Sequence, residues 1–223
     1  LPLNQANELV LSYAEGFRAP TFNDLYWPGG GNPTLEPETS KSYELQWRSQ
    51  LAEKTRLETS LYRTDLHNAI AGWPAQNVNQ ARINGVEAAL QQELLGWQAA
   101  LGVSLIDPRD RDTGQVLSRR AKRTLNLDLD RQFGAISVGA GWQAISRSYD
   151  DEANRREIAG HGVLNLRSAW QATPEVSLGL KVDNVLDQAY SSAQYSIGWP
   201  AEYSTYREAG RTALASVTWT PQL

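Results

Sequence analysis

Arg119 and Arg120 stand side by side in "VLSRRAKRTL", where an irregular polar stretch turns into an alternating one. A guanidinium group is a planar fork of donors that matches phosphate esters and amide carbonyls. The pair is therefore a candidate for gripping a ligand, with pairing to nearby loop carboxylates as the plainer alternative. Tyr26 and Trp27 open a second candidate segment, "YWPGGGNPTLEPETSKSYE". Their rings could lie against a ligand, although loop aromatics also pack a loop against itself.

The other chemistry-bearing residues point away from catalysis. His67 and His161, with Asp65 and Asp150 nearby in sequence, would offer a hydrolase a general base. That chemistry needs the base within hydrogen-bond reach of the proton it takes. Nothing in the spacing fixes such a geometry, and both read as isolated histidines on solvated loops. "DPRDRD" at residues 107–112 suggests calcium, but calcium needs roughly six to eight converging oxygens. Alternating Asp and Arg instead makes a self-neutralised surface loop. There is no cysteine, so disulfides and thiolate metal sites are excluded. The reading is a binding protein that is not an enzyme and carries no covalently bound cofactor.

Composition narrows the class. Hydrophobic residues make up 41% of 223 residues, and mean hydropathy is −0.49. No run approaches the roughly 20 apolar residues of a membrane helix. A membrane β-barrel stays open, because its strands alternate lipid-facing and lumen-facing residues. The net charge of −4 gives no basic face for nucleic acid.

What must position the candidate residues shows in the period of the chain, which is two. Leu125, Leu127 and Leu129 alternate with Asn126, Asp128 and Asp130. Val176, Leu178, Leu180 and Val182 alternate with Ser177, Gly179, Lys181 and Asp183. Tyr43, Leu45 and Trp47 likewise oppose Ser42, Glu44, Gln46 and Arg48. The whole chain yields about ten strands and no helical segment, most strands near the roughly 9–11 residues that cross a bilayer at a tilt. A soluble antiparallel sheet with one wet face alternates too.

The connections separate the two. Short turns at residues 52–54, 95–96, 132–134 and 173–175 alternate with long stretches at 18–39, 67–80, 107–122, 148–161 and 188–209. In an up-and-down meander all short turns share one rim and all long loops the other, the pattern of outer-membrane barrels. Trp97, Phe133, Trp170 and Trp219 fall near the short-turn rim, where an aromatic girdle belongs. In the loop at 26–44, Gly29, Gly30 and Gly31 allow positive φ, and Pro33 and Pro37 then hold an exposed, extended stretch.

Three ordered motifs carry a family resemblance. "GFRAPTFNDLYWPGGGNPTLEPETSKSYE", "ARINGVEA" and "DNVLDQAY" resemble marks of the TonB-dependent outer-membrane receptors. "LIDPRDRDTGQVLSRRAKRTL" and the late "AGR" are similar to the cobalamin-receptor branch of that family. The resemblance implies an all-β, antiparallel up-and-down transmembrane β-barrel of about 22 strands around a plug. Residues 1–223 would then be the C-terminal portion of that barrel, without the plug domain and the N-terminal strands.

It also implies a function. Cobalamin (vitamin B12), captured at the extracellular loops, would be released inward when the plug rearranges, driven by TonB through the N-terminal part. A ferric siderophore or haem is the alternative ligand, and a soluble β-rich binding module the alternative class. The branch places a ligand-contacting arginine at Arg119, against the plainer reading of a basic rim facing lipopolysaccharide. Calcium would belong to the N-terminal part, and the surrounding partner would be outer-membrane lipid. Barrels of the family generally end on an aromatic, whereas this sequence ends on Leu223.

Overall fold

Alternation at period two becomes one continuous antiparallel meander. The computed structural model describes residues 1–71, 74–197 and 202–221. Its elements begin with β1 (Pro2–Asn4), β2 (Asn7–Arg18), α1 (Phe22–Tyr26), β3 (Glu38–Ala52) and β4 (Thr55–Ala71). They continue with β5 (Gln76–Leu94), β6 (Trp97–Asp110), β7 (Arg123–Phe133), β8 (Ile136–Ile145), β9 (Ser148–Tyr149) and β10 (Glu157–Ile158). The last are β11 (His161–Gln171), β12 (Val176–Asp183), β13 (Ser191–Ile197), β14 (Glu202–Arg207) and β15 (Thr212–Trp219). Eleven strands form one sheet in the order β1-β2-β3-β4-β5-β6-β7-β8-β11-β12-β15, while β9–β10 and β13–β14 are small ladders inside two connections. Apart from the three-residue β1, the strands of the large sheet are the ten that the alternation marks out.

Register sorts the two faces. Leu45 lies opposite Leu61, Leu101 opposite Leu127, Leu127 opposite Trp142, and Leu178 opposite Val217. On the other face Glu44 meets Tyr62, and Arg167 donates to Asp130 at 2.9 Å and to Asp128 at 3.1 Å. The apolar ladder stays open on its outer side, with Leu61 58% and Val217 73% exposed. Buried apolar residues gather elsewhere: Leu35, Ala75, Ala81, Val116, Ile158 and Val163 all lie toward the long-loop end. A soluble sandwich would bury its leucine ladders; this sheet leaves them for lipid.

The rims follow from turn chemistry. Leu95 and Gly96 take φ of 54° and 79°, the left-handed pair that matches the twist of a two-residue hairpin. Trp97 packs edge-on against Phe133 at 6.3 Å, and the Arg131 guanidinium lies over the Phe133 ring at 4.4 Å. Gly85, in "ARINGVEA", has a packing reason: a Cβ there would meet the Tyr62 ring at 2.2 Å.

Some expectations are corrected. The chain does hold a helix, α1, capped by Thr21: Asp24 N donates to Thr21 Oγ1 at 3.1 Å and Thr21 N to Asp24 Oδ2 at 2.9 Å. Much of the stretch 67–80 is strand, since β4 and β5 remain paired through Ala71–Gln76. His67 therefore sits in β4 and His161 begins β11, stacked on Tyr190 at 4.2 Å, so neither is a loop histidine. Their neighbours Asp65 and Asp150 are both held by arginines rather than serving a base. Of the three glycines at 29–31 only Gly29 has a positive φ, and Leu35 in the stretch called exposed is buried. Leu223 lies outside the described residues.

Leu127→Arg should destabilise the barrel by about 2–4 kcal/mol, because that face meets hydrocarbon. Asp128→Asn loses only one half-exposed partner of Arg167 and should be almost silent. Urea titration of the folded protein in lipid vesicles checks both; equal tolerance at the two positions would contradict the assigned faces.

Candidate functional site: a cavity among the loops

The first long connection is stitched to its neighbour hairpin. Ala75 N donates to Gly30 O at 3.1 Å, while Asn77 donates to Glu36 O at 3.0 Å and accepts from Glu36 N at 2.8 Å. Gly31 is needed because a Cβ there would meet Trp27 N at 2.5 Å. Tyr26 and Phe22 lie tilted together with ring centres 4.9 Å apart, and both Tyr26 and Trp27 stay about half exposed.

The β6–β7 connection folds back along the free edge of β6. Val116 bridges Arg109, Leu117 N donates to Pro108 O at 3.0 Å, and Val116 is buried with Ala81. A side-chain amide from the next connection clasps it: Asn154 donates to Val116 O at 2.8 Å and accepts from Val116 N at 2.7 Å.

Three connections then meet on one carboxylate. Asp150 follows β9 and its side chain is only 4% exposed. Its Oδ1 accepts from Arg119 Nε at 2.8 Å and from Gln194 N at 3.1 Å; its Oδ2 faces Arg156 at 3.5 Å. Burial works against the charge, yet the Gln194 amide and the two guanidinium groups outweigh it and hold the carboxyl below the usual carboxylate range. Arg119 takes a left-handed φ of 56°, and its amide donates to Tyr149 O at 2.6 Å. Such a conformation in a non-glycine residue is held by its surroundings and clusters at functional sites.

This knot lines a cavity of about 920 Å³, with Ser118, Arg119, Asp151 and Glu152 from two connections and Gln194, Tyr195, Tyr203 and Tyr206 from the β13–β14 hairpin. Tyr195 and Tyr206 are tilted together at 4.6 Å, and the Arg156 guanidinium lies 4.5 Å from the Tyr203 ring centre. Arg119 gives only its Nε edge to Asp150 and remains 57% exposed, so its terminal amino groups face the cavity. Aromatic faces beside forked donors suit a large polar ligand with flat apolar parts and anionic or amide groups.

The sequence candidates separate here. Arg119 lines this cavity, whereas Arg120 lines a neighbouring one of about 520 Å³ with Leu66, Ile83, Val116 and Leu117. Tyr26 and Trp27 line neither. Asp150, Arg156 and the three tyrosines went unnoticed as ligand-site residues; the only signal was the spacing of Tyr195, Tyr203 and Tyr206 in one aromatic-rich stretch. "DPRDRD" splits between β6 and the turn after it, and Asp107 is neutralised by Arg109 at 2.9 Å and Lys122 at 2.8 Å. "DNVLDQAY" is structural: buried Asn184 donates to Gln188 O at 2.9 Å and Ala209 O at 3.3 Å, tying β12 to the approach of β15.

The chain's relatives agree with this architecture. A family profile described as "TonB dependent receptor-like, beta-barrel" matches residues 3–185. The vitamin B12 transporter BtuB of Vibrio vulnificus is 31% identical over 222 residues, covering 95% of this chain and 35% of the relative. That of Photobacterium profundum is 28% identical over 220 residues, covering 91% and 36%. The chain thus spans about a third of the curated relatives it matches. Among solved structures, the ferric enterobactin receptor PfeA of Pseudomonas aeruginosa superposes with a TM-score of 0.80 at 22% identity, covering 98% of this chain and 38% of that one. The siderophore receptor PiuA of Acinetobacter baumannii gives 0.78 at 19%, covering 97% and 34%. These two likenesses show the fold alone.

The Asp150 knot makes its own prediction. Asp150→Asn keeps the shape and removes the charge, so the Gln194 amide that donates to it should exchange hydrogen about ten-fold faster. Because the folded carboxyl titrates below its ordinary value of about 4, its contribution is complete above that pH and lost as pH falls further. Hydrogen exchange read by mass spectrometry across pH checks both; unchanged exchange in the variant would show that the knot holds nothing.

Proposed function

Because the chain belongs to the TonB-dependent receptor β-barrel family of the Gram-negative outer membrane, we propose that it forms the C-terminal barrel wall and ligand-capturing loops of a cobalamin transporter. Members of this family are transporters and receptors, not enzymes. The observation that carries the ligand is the 31% identity, over 95% of this chain, to a protein named as a vitamin B12 transporter.

The cavity chemistry supports the same reading. Cobalamin bears a phosphodiester and a rim of amides, which the free edge of Arg119 can address with forked donors. Tyr195, Tyr203 and Tyr206 offer flat apolar faces on the other side. Asp150 fixes the arginine before ligand arrives, so less side-chain freedom is lost on binding. Arg120 would contact ligand only by reaching from its own cavity, and Tyr26 and Trp27 only from the neighbouring connection. The uptake step is assigned to parts beyond this sequence: a plug that rearranges when TonB pulls on it, with the remaining strands closing the barrel.

The test is equilibrium binding of labelled cobalamin to the receptor in outer membranes, with Arg119→Ala beside the unaltered protein. Binding should be tight and weaken at least about ten-fold in the variant, the scale of one lost hydrogen bond to a charged group. Binding that is tight but indifferent to the substitution would remove Arg119 from the site. Absence of cobalamin binding, with a ferric siderophore bound instead, would replace the ligand and leave the family unchanged.

A further inference from the structure

Two arginines share the Asp150 carboxylate, and they are held differently. Arg119 is fixed through both side chain and backbone: its Nε donates to Asp150 Oδ1 at 2.8 Å and its amide to Tyr149 O at 2.6 Å. Arg156 is held through its backbone. Its N donates to Asp151 Oδ1 at 2.6 Å, and its O accepts from Asp150 N at 2.8 Å. Its guanidinium reaches Asp150 Oδ2 only at 3.5 Å, outside the roughly 2.7–3.2 Å of a normal N–H···O bond. Otherwise it lies over the Tyr203 ring, 4.5 Å from the centre.

The Nε of Arg156 is buried and donates to no group among the described residues. A buried donor without an acceptor is unfavourable, and in a native structure such a group calls for a reason. Tight packing is not that reason, because the side chain as a whole stays 31% exposed and lines the cavity of about 920 Å³. By turning about its side-chain bonds Arg156 gives up one long contact and the face of Tyr203. The carboxylate it leaves keeps Arg119 Nε and Gln194 N on Oδ1. Turned into the cavity, Nε and the terminal amino groups can all meet acceptors on a ligand.

We infer that Arg119 and Arg156 are the two arms of a clamp, Arg119 fixed and Arg156 movable, and that Arg156 closes once the ligand is seated. The inference rests on the cavity being the cobalamin site and adds to that reading a residue that changes partner. Charge says which ligand groups the moving arm takes. The charged lining holds two guanidinium groups, Arg119 and Arg156, against three carboxylates, Asp150, Asp151 and Glu152. Asp151 is occupied by the amides of Arg155 and Arg156, while exposed Glu152 enters no ion pair among the described residues. A net anion gains little from such a surface. Neutral carbonyl oxygens, such as a rim of amides presents, accept from a guanidinium fork without meeting that repulsion.

Labelled cobalamin is bound to the whole receptor in outer membranes, and association and dissociation are timed separately for the unaltered protein, Arg156→Gln and Arg156→Lys. Arg156→Gln should speed dissociation about ten-fold, the scale of one hydrogen bond to a charged group, and leave association unchanged. Arg156→Lys should recover little of the loss, because an ammonium offers no fork. The loss should persist at high salt, which screens exposed charges but not a seated hydrogen bond. In the free receptor, hydrogen exchange at the Gln194 amide should be the same in Arg156→Gln as in the unaltered protein. Dissociation indifferent to Arg156→Gln overturns the clamp and leaves the cobalamin reading standing. Faster Gln194 exchange in the free variant would make Arg156 a structural brace, and a loss confined to association and erased by salt would make it a steering charge; either overturns the clamp. Failure of the unaltered receptor to bind cobalamin overturns that reading and the clamp with it.

Discussion

A backbone N–H or C=O facing hydrocarbon has no water to bond, and leaving it unpaired costs several kcal/mol. The rest of the structure depends on that constraint. It requires each strand from β2 to β15 in the large sheet to pair along its length, which the sequence-order meander supplies with short turns at one rim and long connections at the other. Pro108 shows how strictly the rule is met. Its carbonyl points away from β5 toward the returning Leu117, so its missing N–H lies on the open side, beyond the last β6–β7 pair at Leu105. Among the described strands the arc keeps two outer edges, β1 and β15, of the kind a closed barrel removes.

Once the backbone is paired, side chains are free to differentiate the faces. The lipid side needs no partner beyond acyl chains, so leucines there stay open and contribute no protein core. The lumen side is wet and can hold Arg167 between two aspartates at little cost. Among the described residues, packing of the ordinary globular kind reappears under the loops, where Val116, Ala81 and Leu35 are covered. The cavity and its fixed geometry arise at that end for the same reason.

Beyond the belt, side-chain amides replace the ladder as the means of satisfying backbone. Asn77, Asn154 and Asn184 each bond carbonyls of the chain around them, acting as short stand-ins for a strand neighbour. Asp150 extends the device with charge, joining connections far apart in sequence through one buried carboxylate. Loops held in this way keep Arg119 at one place and one orientation.

The fold was legible because period two is a local property: Leu125, Leu127 and Leu129 declare a lipid face with no knowledge of neighbours. The family was legible through short motifs whose glycines and asparagines answer to local backbone geometry, as Asn184 with its φ of 51° does. Helix α1 escaped because five residues carry no helical period and the Thr21–Asp24 box alone sets it. The ends of β4 and β5 escaped because past His67 the face alternation lapses, while backbone pairing to Gln76 continues without it. The sequence by itself determined strands, faces, rims and the presence of an arginine pair at the mouth. Only the tertiary structure decided that Arg119 and Arg120 part into different cavities, that Asp150 gathers two arginines, and that Lys41, Asp65, Arg82 and Arg109 line up across β3 to β6. Those depend on register and on contacts between residues dozens of positions apart, which no local period encodes.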